Sequence, residues 1–556
     1  MRVAVEPVNA EAASVARFQP DCCERPEAYQ RPDAYKRLSP FSWNAGLLLI
    51  VALLAASFFL AGYLIVYWRN ADMDFMVVYN ALLLNDGQPQ FYFDHPAYFT
   101  ILLVKGWFRF LHQLGLLDAW KLSAIPYSSA AAFDEAMTSA VRAGRLLSFW
   151  LAIAVVLVFA VLMRRIVHDR RLAMIAAFAF ASSGALAMQM RIMRTELIAA
   201  PLVVFAFLIL VLAARQASNG RPLVLALAAF LCMLGLENKV HAILPIAALP
   251  LMILPFGSAA GTSAPFWKQD PRRWLAATAF AVTALMILWV SLPLIRTGFD
   301  PSAMAATLPA KSLLSGRPGL YQAGVLAWTV VAMVAFSTVW KVSFAESVAG
   351  MFALVIGICA ALLVLDISCY DANVVTVMNP LERMSGFADL SPLPGGGGLF
   401  AMLGLLALDG ARVLLRYTFV LSSSPRPAVF LIWLVVPGIV YAWRRGEKQA
   451  ALQAAVLILS VIGIDAVGMR RGLKDEYFIF TDPFIIIAGA VLLDRMNTLR
   501  SHRLAYPIGV VLIALHVVIG QAEPVKHAFA RKGPEGICDW RMQYLPLLQL
   551  PWCGKA

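Results

Sequence analysis

Residues 47–67 read LLLIVALLAASFFLAGYLIVY, a stretch without a single charged side chain. A helix of about 20 such residues, rising about 1.5 Å per residue, crosses the roughly 30 Å hydrocarbon core of a bilayer. Roughly 40 residues of polar character precede it, and its apolar part is longer than that of a cleavable signal peptide. We therefore expect this segment to be retained as the first membrane span.

The composition extends this expectation to the whole chain. Of its 556 residues, 61% are hydrophobic and 14% charged, and the mean hydropathy is +0.73, which excludes an ordinary soluble protein and a disordered chain. Strands of a membrane barrel alternate apolar and polar residues over about 10 positions, whereas residues 201–214 stay apolar over a helical length. The formal net charge of +13 is spread between apolar stretches, which disfavours binding to nucleic acid. The predicted fold is an all-α polytopic membrane protein.

A hydropathy window of about 19 residues predicts about thirteen spans. They lie at 44–68, 145–164, 172–190, 197–214, 222–237, 241–256, 274–295, 321–340, 347–366, 427–443, 449–468, 477–493 and 504–521. Short basic loops at 164–171, 268–273, 444–448 and 495–503 fall on one side, which the positive-inside rule assigns to the cytoplasm. This divides the chain into a flexible cytosolic arm (1–43), a transmembrane domain (44–521) and a C-terminal tail on the opposite side (522–556).

Three segments on the outer side are too long to be simple connections, namely 69–144, 367–426 and the tail. In the first, residues 97–117 are apolar but interrupted by basic side chains, which predicts a helix lying on the membrane surface. In the second, residues 396–420 predict an interfacial amphipathic helix, because a span there would place the later basic loops outside. Function is expected in these long segments.

The seven cysteines divide by predicted location. Cys538 and Cys553 lie in the outer tail, where disulfides persist, and we predict a bond between them. Cys232 and Cys359 lie within predicted spans, where a small buried thiol usually only packs. No group of cysteines and histidines has the spacing of a zinc site.

A charged motif directly follows the first span. Residues 68–87 read WRNADMDFMVVYNALLLNDG, so Asp72 and Asp74 lie at the lipid edge, and Asp94-His95-Pro96 follows. Carboxylates that lose hydration at such a boundary need a cation, a set of donors or a chemical task. The simpler alternative is that they are solvated loop acids that cap a helix beginning near Phe75.

In these motifs and in its layout, the chain resembles the C-type glycosyltransferases, the membrane enzymes that take sugars from polyprenyl-phosphate carriers. Asp74 to Ala81 is similar to the acidic motif of that superfamily, and Asp94-His95-Pro96-Ala97 is similar to its His-Pro-Pro segment, with Ala97 in place of the second proline. Arg145-Leu-Leu-Ser148 and the stretch from Glu476-Tyr477 to Pro483 also look familiar. The thirteen spans match the subgroup of the lipid A aminoarabinose transferase, and the protein O-mannosyltransferases are more distant relatives. The resemblance implies a polyprenyl-phosphate sugar donor, an envelope lipid or glycan acceptor, and a bacterial inner membrane with the active site at its periplasmic face.

Transfer to a hydroxyl is faster when a carboxylate removes its proton, and an inverting displacement needs only one such base. Asp74 is the first candidate for this base, and Asp72 is the second. The donor phosphate requires fixed cations, for which we select Lys239, Arg194, Arg471 and Lys474, although Arg194 and Lys239 could instead reach out to lipid headgroups. Glu476 stands where the family commonly has an arginine, which weakens the assignment of any one cation in the last loop.

Further substrate contacts are expected from Asp94, His95, Glu196, His241 and Tyr477, although Glu196 could instead pair with Arg194. His95 could equally be a structural histidine, or could join the acids around a divalent cation such as Mg²⁺ or Mn²⁺. Two other functions remain open. A lipid or glycan transporter or flippase would carry ionisable residues deep inside its spans, and these are sparse here. A non-catalytic scaffold for envelope assembly would tolerate replacement of Asp74.

Overall fold

The computed structural model describes residues 42–65, 74–90, 97–215, 221–257, 318–341, 344–369, 399–418, 428–469 and 475–498, with scattered positions at 278–292, 511–521, 538 and 550–553. Throughout these residues the regular structure is helical and contains no strand. The α-helices are α1 (Trp43–Ala61), α2 (Asp74–Asn85), α3 (Tyr98–Gln113), α4 (Ala130–Ile166), α5 (Arg170–Ala181), α6 (Gly184–Arg191), α7 (Glu196–Arg215), α8 (Arg221–Asn238), α9 (Ile243–Ile253), α10 (Pro318–Trp340), α11 (Phe344–Cys369), α12 (Leu399–Thr418), α13 (Val429–Arg444), α14 (Lys448–Met469) and α15 (Asp482–Thr498). Short 3₁₀ segments at Val240–Ala242, Leu254–Phe256 and Asp475–Phe480 lie next to α9 and α15.

The all-α membrane fold is confirmed, but the number of spans is not. Within the described residues, α1, α4, α7, α8 and α14 are long and apolar enough to cross a bilayer, and the bent pair α5 and α6 makes a sixth candidate. Other predicted spans correspond to shorter apolar helices, such as Val240–Phe256 and Leu431–Arg444. The predicted spans at 274–295 and 504–521 are described only at scattered positions, which are helical.

The predicted span at 172–190 is two helices that meet at an angle of 53°. The break lies at a Ser-Ser-Gly sequence, where side chains compete for backbone hydrogen bonds. Ser182 Oγ donates to the carbonyl of Phe178 at 2.6 Å, and Ser183 Oγ caps α6 by accepting from the backbone N–H of Leu186 at 3.3 Å. The bend directs the end of α6 and the loop at residues 192–195 toward the start of α2.

Helix α4 begins much earlier than its predicted span, because Ser129 caps it by accepting from the backbone N–H of Ala132 at 3.2 Å. Its first turns therefore belong to the segment predicted as the first long outer loop. There they pack with α2 and α3 in a hydrophobic cluster that also contains Leu550 and Cys553. Trp552 adds to it, with its ring centroid 5.6 Å from that of Phe133. The predicted Cys538–Cys553 disulfide is present.

The two predicted surface helices are helices in the structure, α3 and α12. Helix α12 packs against α14, where the hydroxyl of Tyr417 donates to Asp465 Oδ2 and both residues are buried. Arg412 is exposed and pairs with the buried Asp409 at 3.0 Å, and Leu414 and Leu415 are exposed on the same helix. That α12 lies at the membrane interface stays a prediction.

Candidate functional site

The loop at residues 192–195, between α6 and α7, connects the charged residues of the site. Met193, Arg194 and Thr195 contact three different elements: the start of α2, the 3₁₀ segment at Asp475–Phe480 and the end of α8. All three loop residues are buried. Positions that are far apart in the sequence therefore meet at one short loop.

Asp74, the first residue of α2, forms a closed ion pair with Arg145 of α4. Its Oδ2 lies 2.6 Å from Arg145 Nη2, and neither side chain is exposed to solvent. Its Oδ1 accepts from the backbone N–H of Met193 at 3.0 Å. Arg145 also donates to the carbonyls of Gly62 and Ile65 just beyond α1. Both oxygens of Asp74 are thus occupied, and its pair joins α1, α2, α4 and the 192–195 loop.

A second group of charges, which we call the Lys239 network, comprises Lys239, Glu196, Arg194 and Glu476. Lys239 Nζ lies 2.8 Å from Glu196 Oε1, and Arg194 Nε lies 3.6 Å from Glu196 Oε2. Arg194 Nη2 also lies 2.9 Å from Glu476 Oε1. One carboxylate therefore holds two buried cations close together, and the network alternates in sign along its length.

Asn238 forms hydrogen bonds both to the 192–195 loop and to the start of α3. Its Nδ2 donates to the carbonyl of Thr195 at 2.6 Å, and its Oδ1 accepts from the backbone N–H and the hydroxyl of Thr100 at 2.9 and 3.0 Å. Its carbonyl accepts from the N–H of Ala97 at 3.1 Å. Asn238 is completely buried, so these contacts fix the residue next to Lys239.

Two predicted substrate residues, His241 and Tyr477, stack face to face beside the network. Their ring centroids are 4.1 Å apart with an angle of 9° between the planes. Lys239 Nζ lies 5.9 Å from the centroid of the Tyr477 ring, within range of a cation–π contact. Gln189 Nε2 donates to the carbonyl of Glu476 at 3.0 Å and fixes the neighbouring residue. The aromatic pair is buried and lies next to Lys239.

A cavity of about 500 Å³ lies between α7, α8, α9, α10 and α11. Apolar side chains line it almost throughout, among them Met233, Leu236, Ile243 and Trp328, together with the thiol of Cys232. Met233 and Leu236 come from the end of α8 and Ile243 begins α9, so one end of the cavity lies at the turn that carries Lys239 and His241.

The predicted site residues therefore separate into three groups. Lys239, Arg194, Glu196, His241 and Tyr477 are brought together, and Asp74 is linked to them through the 192–195 loop. Asp72, Asp94, His95, Arg471 and Lys474 lie outside the described residues. Among the residues that the structure does describe, no three His, Cys, Asp or Glu side chains converge as metal ligands.

Sequence reasoning did not assign roles to Arg145, Asn238 and Glu476, which the structure places in contact with the predicted residues. The signal for Arg145 was present, since it opens a motif near the start of a predicted span. Asn238 adjoins Lys239, but an asparagine at a helix end is common and carries little information by itself. Glu476 stood out as part of a familiar stretch and as a departure from an expected arginine, and the structure places it opposite Arg194.

No family model and no curated protein matches the sequence. Among solved structures, the chain is similar to the oligosaccharyltransferase of Archaeoglobus fulgidus in its apo form, with 16% sequence identity and a TM-score of 0.47. The match covers 94% of this chain and 62% of that protein, so the chain spans less than two thirds of its length. Similarity of this extent assigns neither a family nor an activity to the chain.

Proposed function

We propose that the chain is a membrane glycosyltransferase that moves a sugar from a polyprenyl-phosphate donor to an envelope acceptor such as lipid A or another glycolipid. The observation that carries the proposal is that Leu236 and Ile243, on either side of Lys239 in the sequence, line the apolar cavity, while Lys239 itself belongs to a buried charge network. A lipid phosphate is an apolar chain with an anionic head, and this arrangement offers apolar walls to the chain and buried cations to the head.

In this proposal Lys239 and Arg194 bind the donor phosphate, and Arg471 and Lys474 add to its charge compensation. Glu196 holds the two cations on one carboxylate in the free protein. A phosphate that enters would share or replace that carboxylate as their partner, and it would neutralise the charge that develops on the leaving group. The stacked rings of His241 and Tyr477 offer an apolar face to a sugar, and Asp94 and His95 would contribute polar contacts.

The acceptor hydroxyl requires a base, for which the sequence proposes Asp74 and then Asp72. Asp74 would have to release Met193 or Arg145 before it could take a proton, because both of its oxygens are engaged. If a divalent ion such as Mg²⁺ or Mn²⁺ takes part, Asp72, Asp94 and His95 are the residues proposed to bind it.

The proposed location is the bacterial inner membrane, with the site at the periplasmic face. The basic loops between spans favour this orientation. The Cys538–Cys553 disulfide supports it as well, since disulfides persist on the oxidising side of that membrane.

The decisive experiment is mass spectrometry of envelope lipids and glycans from a strain that lacks the gene, complemented with the wild-type chain or with an empty vector. A sugar added only in the presence of the wild-type chain would establish transfer and identify both sugar and acceptor. Identical profiles, combined with polyprenyl-phosphate binding by the purified protein, would favour a transporter or flippase instead.

The cavity can be tested separately with its own thiol. Cys232 lines the cavity, whereas Cys359, which is also buried, is not part of the lining. We expect decaprenyl phosphate to slow the reaction of Cys232 with an apolar maleimide at least several-fold, with Cys359 as an internal control in the same digest. Equal slowing at both cysteines would mean general stabilisation, and no slowing at Cys232 would contradict the assignment of the cavity to the lipid chain.

A further inference from the structure

Glu237 is a buried acid without a role in the proposed function. It lies in the last turn of α8, is 2% exposed, and its Oε2 has no hydrogen-bond partner among the residues that the structure describes. A buried polar atom without a partner costs free energy, more so when the group is charged. Such an atom is retained when it serves a ligand or a reaction.

Its place on the helix adds to this cost. The C-terminal end of a helix carries a partial negative charge from its free carbonyls, so an acid there is repelled. The other acids of the site are compensated: Asp74 by Arg145 and a backbone N–H, Glu196 by two cations, and Glu476 by Arg194. Glu237 differs from these three acids because its Oε2 has no hydrogen-bond donor among the residues that the structure describes.

Glu237 lies close to the apolar cavity along α8. It follows Met233 by four residues, so the two side chains lie on the same face of α8, and Met233 lines the cavity. The next two residues are Asn238 and Lys239, whose backbones are fixed by the contacts described above. Glu237 is therefore one helical turn from a residue that lines the cavity and two residues before Lys239.

We propose that Glu237 is the catalytic base that takes the proton of the acceptor hydroxyl. This inference rests on the proposed glycosyltransferase function and replaces Asp74 in that one step, leaving Asp74 as the partner that positions Arg145 and the 192–195 loop. A hydroxyl that donates to Oε2 supplies the missing hydrogen bond, so substrate binding relieves the cost that the free protein carries.

The step balances without a further reactant. The O–H proton of the acceptor moves to Glu237 Oε2, and the acceptor oxygen forms a bond to the anomeric carbon of the sugar. The bond from that carbon to the phosphate oxygen breaks, and its electron pair leaves with the polyprenyl phosphate, whose charge Lys239 and Arg194 hold. The proton on Glu237 then passes to water as the products leave.

The test uses full-length protein, a polyprenyl-phosphate sugar and the acceptor found by mass spectrometry. Glu237→Gln keeps the size and removes the base, so kcat should fall by about 100-fold or more while KM for the donor changes little. The wild-type rate should decline as pH falls and the carboxylate is protonated, and the residual rate of the variant should lose this dependence. Glu135→Gln, at an exposed position of α4, is the matched control and should behave as wild type.

Two further measurements separate a base from a structural acid. Removal of a buried charge without a donor should leave the Tm of Glu237→Gln equal to or above that of the wild type, even though activity is lost. In Glu237→Ala, formate should restore part of the rate by taking the place of the missing carboxylate. A lower Tm together with no rescue would show a structural ion pair and overturn the proposal.

The proposed function and this inference fail in different ways. If the wild-type chain transfers no sugar, the proposed function fails. If the wild type transfers sugar and Glu237→Gln keeps its rate and its pH dependence, the function stands and Glu237 is not the base.

Discussion

The Asp74–Arg145 pair and the Lys239 network lie at opposite ends of the same short loop, yet they are built differently. In the pair, the Asp74 carboxylate contacts the Arg145 guanidinium through one oxygen, and its other oxygen accepts from a backbone N–H. In the network, Glu196 serves two cations, and one of these serves Glu476 as well. A pair with all its groups committed supports the surrounding structure, whereas a shared network can exchange one partner for a ligand.

This difference changes how substitutions at the two regions should be interpreted. Loss of activity after a substitution of Asp74 is ambiguous, because the substitution also leaves the buried guanidinium of Arg145 without its partner. Loss of activity after a change in the network is more informative, since the remaining members can re-pair. The predictions below separate structural from chemical effects, from the largest expected effect to the smallest.

The largest effect is expected from Asp74→Asn. Breaking a fully buried pair costs about 3–5 kcal/mol, so the variant should be strongly destabilised and inactive. The double variant Asp74→Asn/Arg145→Gln removes both charges and should recover most of that stability, as measured by thermal unfolding in detergent. Transfer activity regained along with stability would show that the pair is structural. A stable double variant without activity would instead make Asp74 a chemical participant.

The Lys239 network should tolerate loss of one cation better in stability than in function. In Lys239→Met, Glu196 keeps Arg194 as a partner, so we expect a modest loss of stability and a donor KM raised about 10-fold or more, because one charge-assisted contact to phosphate is lost. Lys448→Met, at an exposed position in the first turn of α14, is the control. An unchanged donor KM would mean that Lys239 only completes the buried ion pair.

Asn238 tests whether the network depends on its link to α3. Replacing it with alanine removes the bonds to Thr195 and Thr100, at a cost of about 1–3 kcal/mol for buried groups left without partners. Activity should fall further than stability alone explains, because Lys239 is the next residue. Asn80→Ala gives a comparison, since the Asn80 amide donates to Met76 within α2. Equal effects of the two changes would contradict a special role for Asn238.

The smallest effect is expected at Ala97, which has a left-handed backbone with φ of 56°. Non-glycine residues pay about 1 kcal/mol there, so Ala97→Gly should stabilise the protein slightly. Ala97→Pro should destabilise it, because proline requires φ near −65° and cannot donate the N–H that Ala97 gives to Asn238. Lys341→Gly, at an exposed position with φ of 49°, is a control for the glycine effect away from the site. Tolerance of proline at position 97 would mean that the bond to Asn238 is dispensable.

The fold class and the positions of many helices could be predicted from the sequence, because long apolar stretches such as residues 47–67 have few alternatives in a membrane. The number of spans could not, since hydropathy does not separate a crossing helix from a shorter buried one. It also missed the break at Ser182 and Ser183, where local hydrogen bonds decide the geometry. The disulfide followed from simple reasoning about the compartment and is confirmed.

The charges of the candidate site and the pairing of Arg194 with Glu196 could be predicted, but the other pairings could not. Lys239, Arg194 and Glu196 stand out as charges between apolar stretches, so their grouping at one end of the helices was expected. Which acid faces which cation depends on the 192–195 loop, whose contacts join positions more than 40 residues apart. Sequence reasoning therefore placed Asp74 as a free base, whereas in the structure both its oxygens are engaged. The proposed roles of all these residues stay predictions.

The packing of Leu550, Trp552 and Cys553 against the first long loop also sets an order of events during synthesis. Phe133 leaves the ribosome roughly four hundred residues before Trp552, which at about 5–20 residues per second is a delay of roughly 20–80 s. Until then, the apolar surface of α2, α3 and early α4 that these residues cover stays open. Translation itself therefore delays the moment at which this hydrophobic cluster is complete.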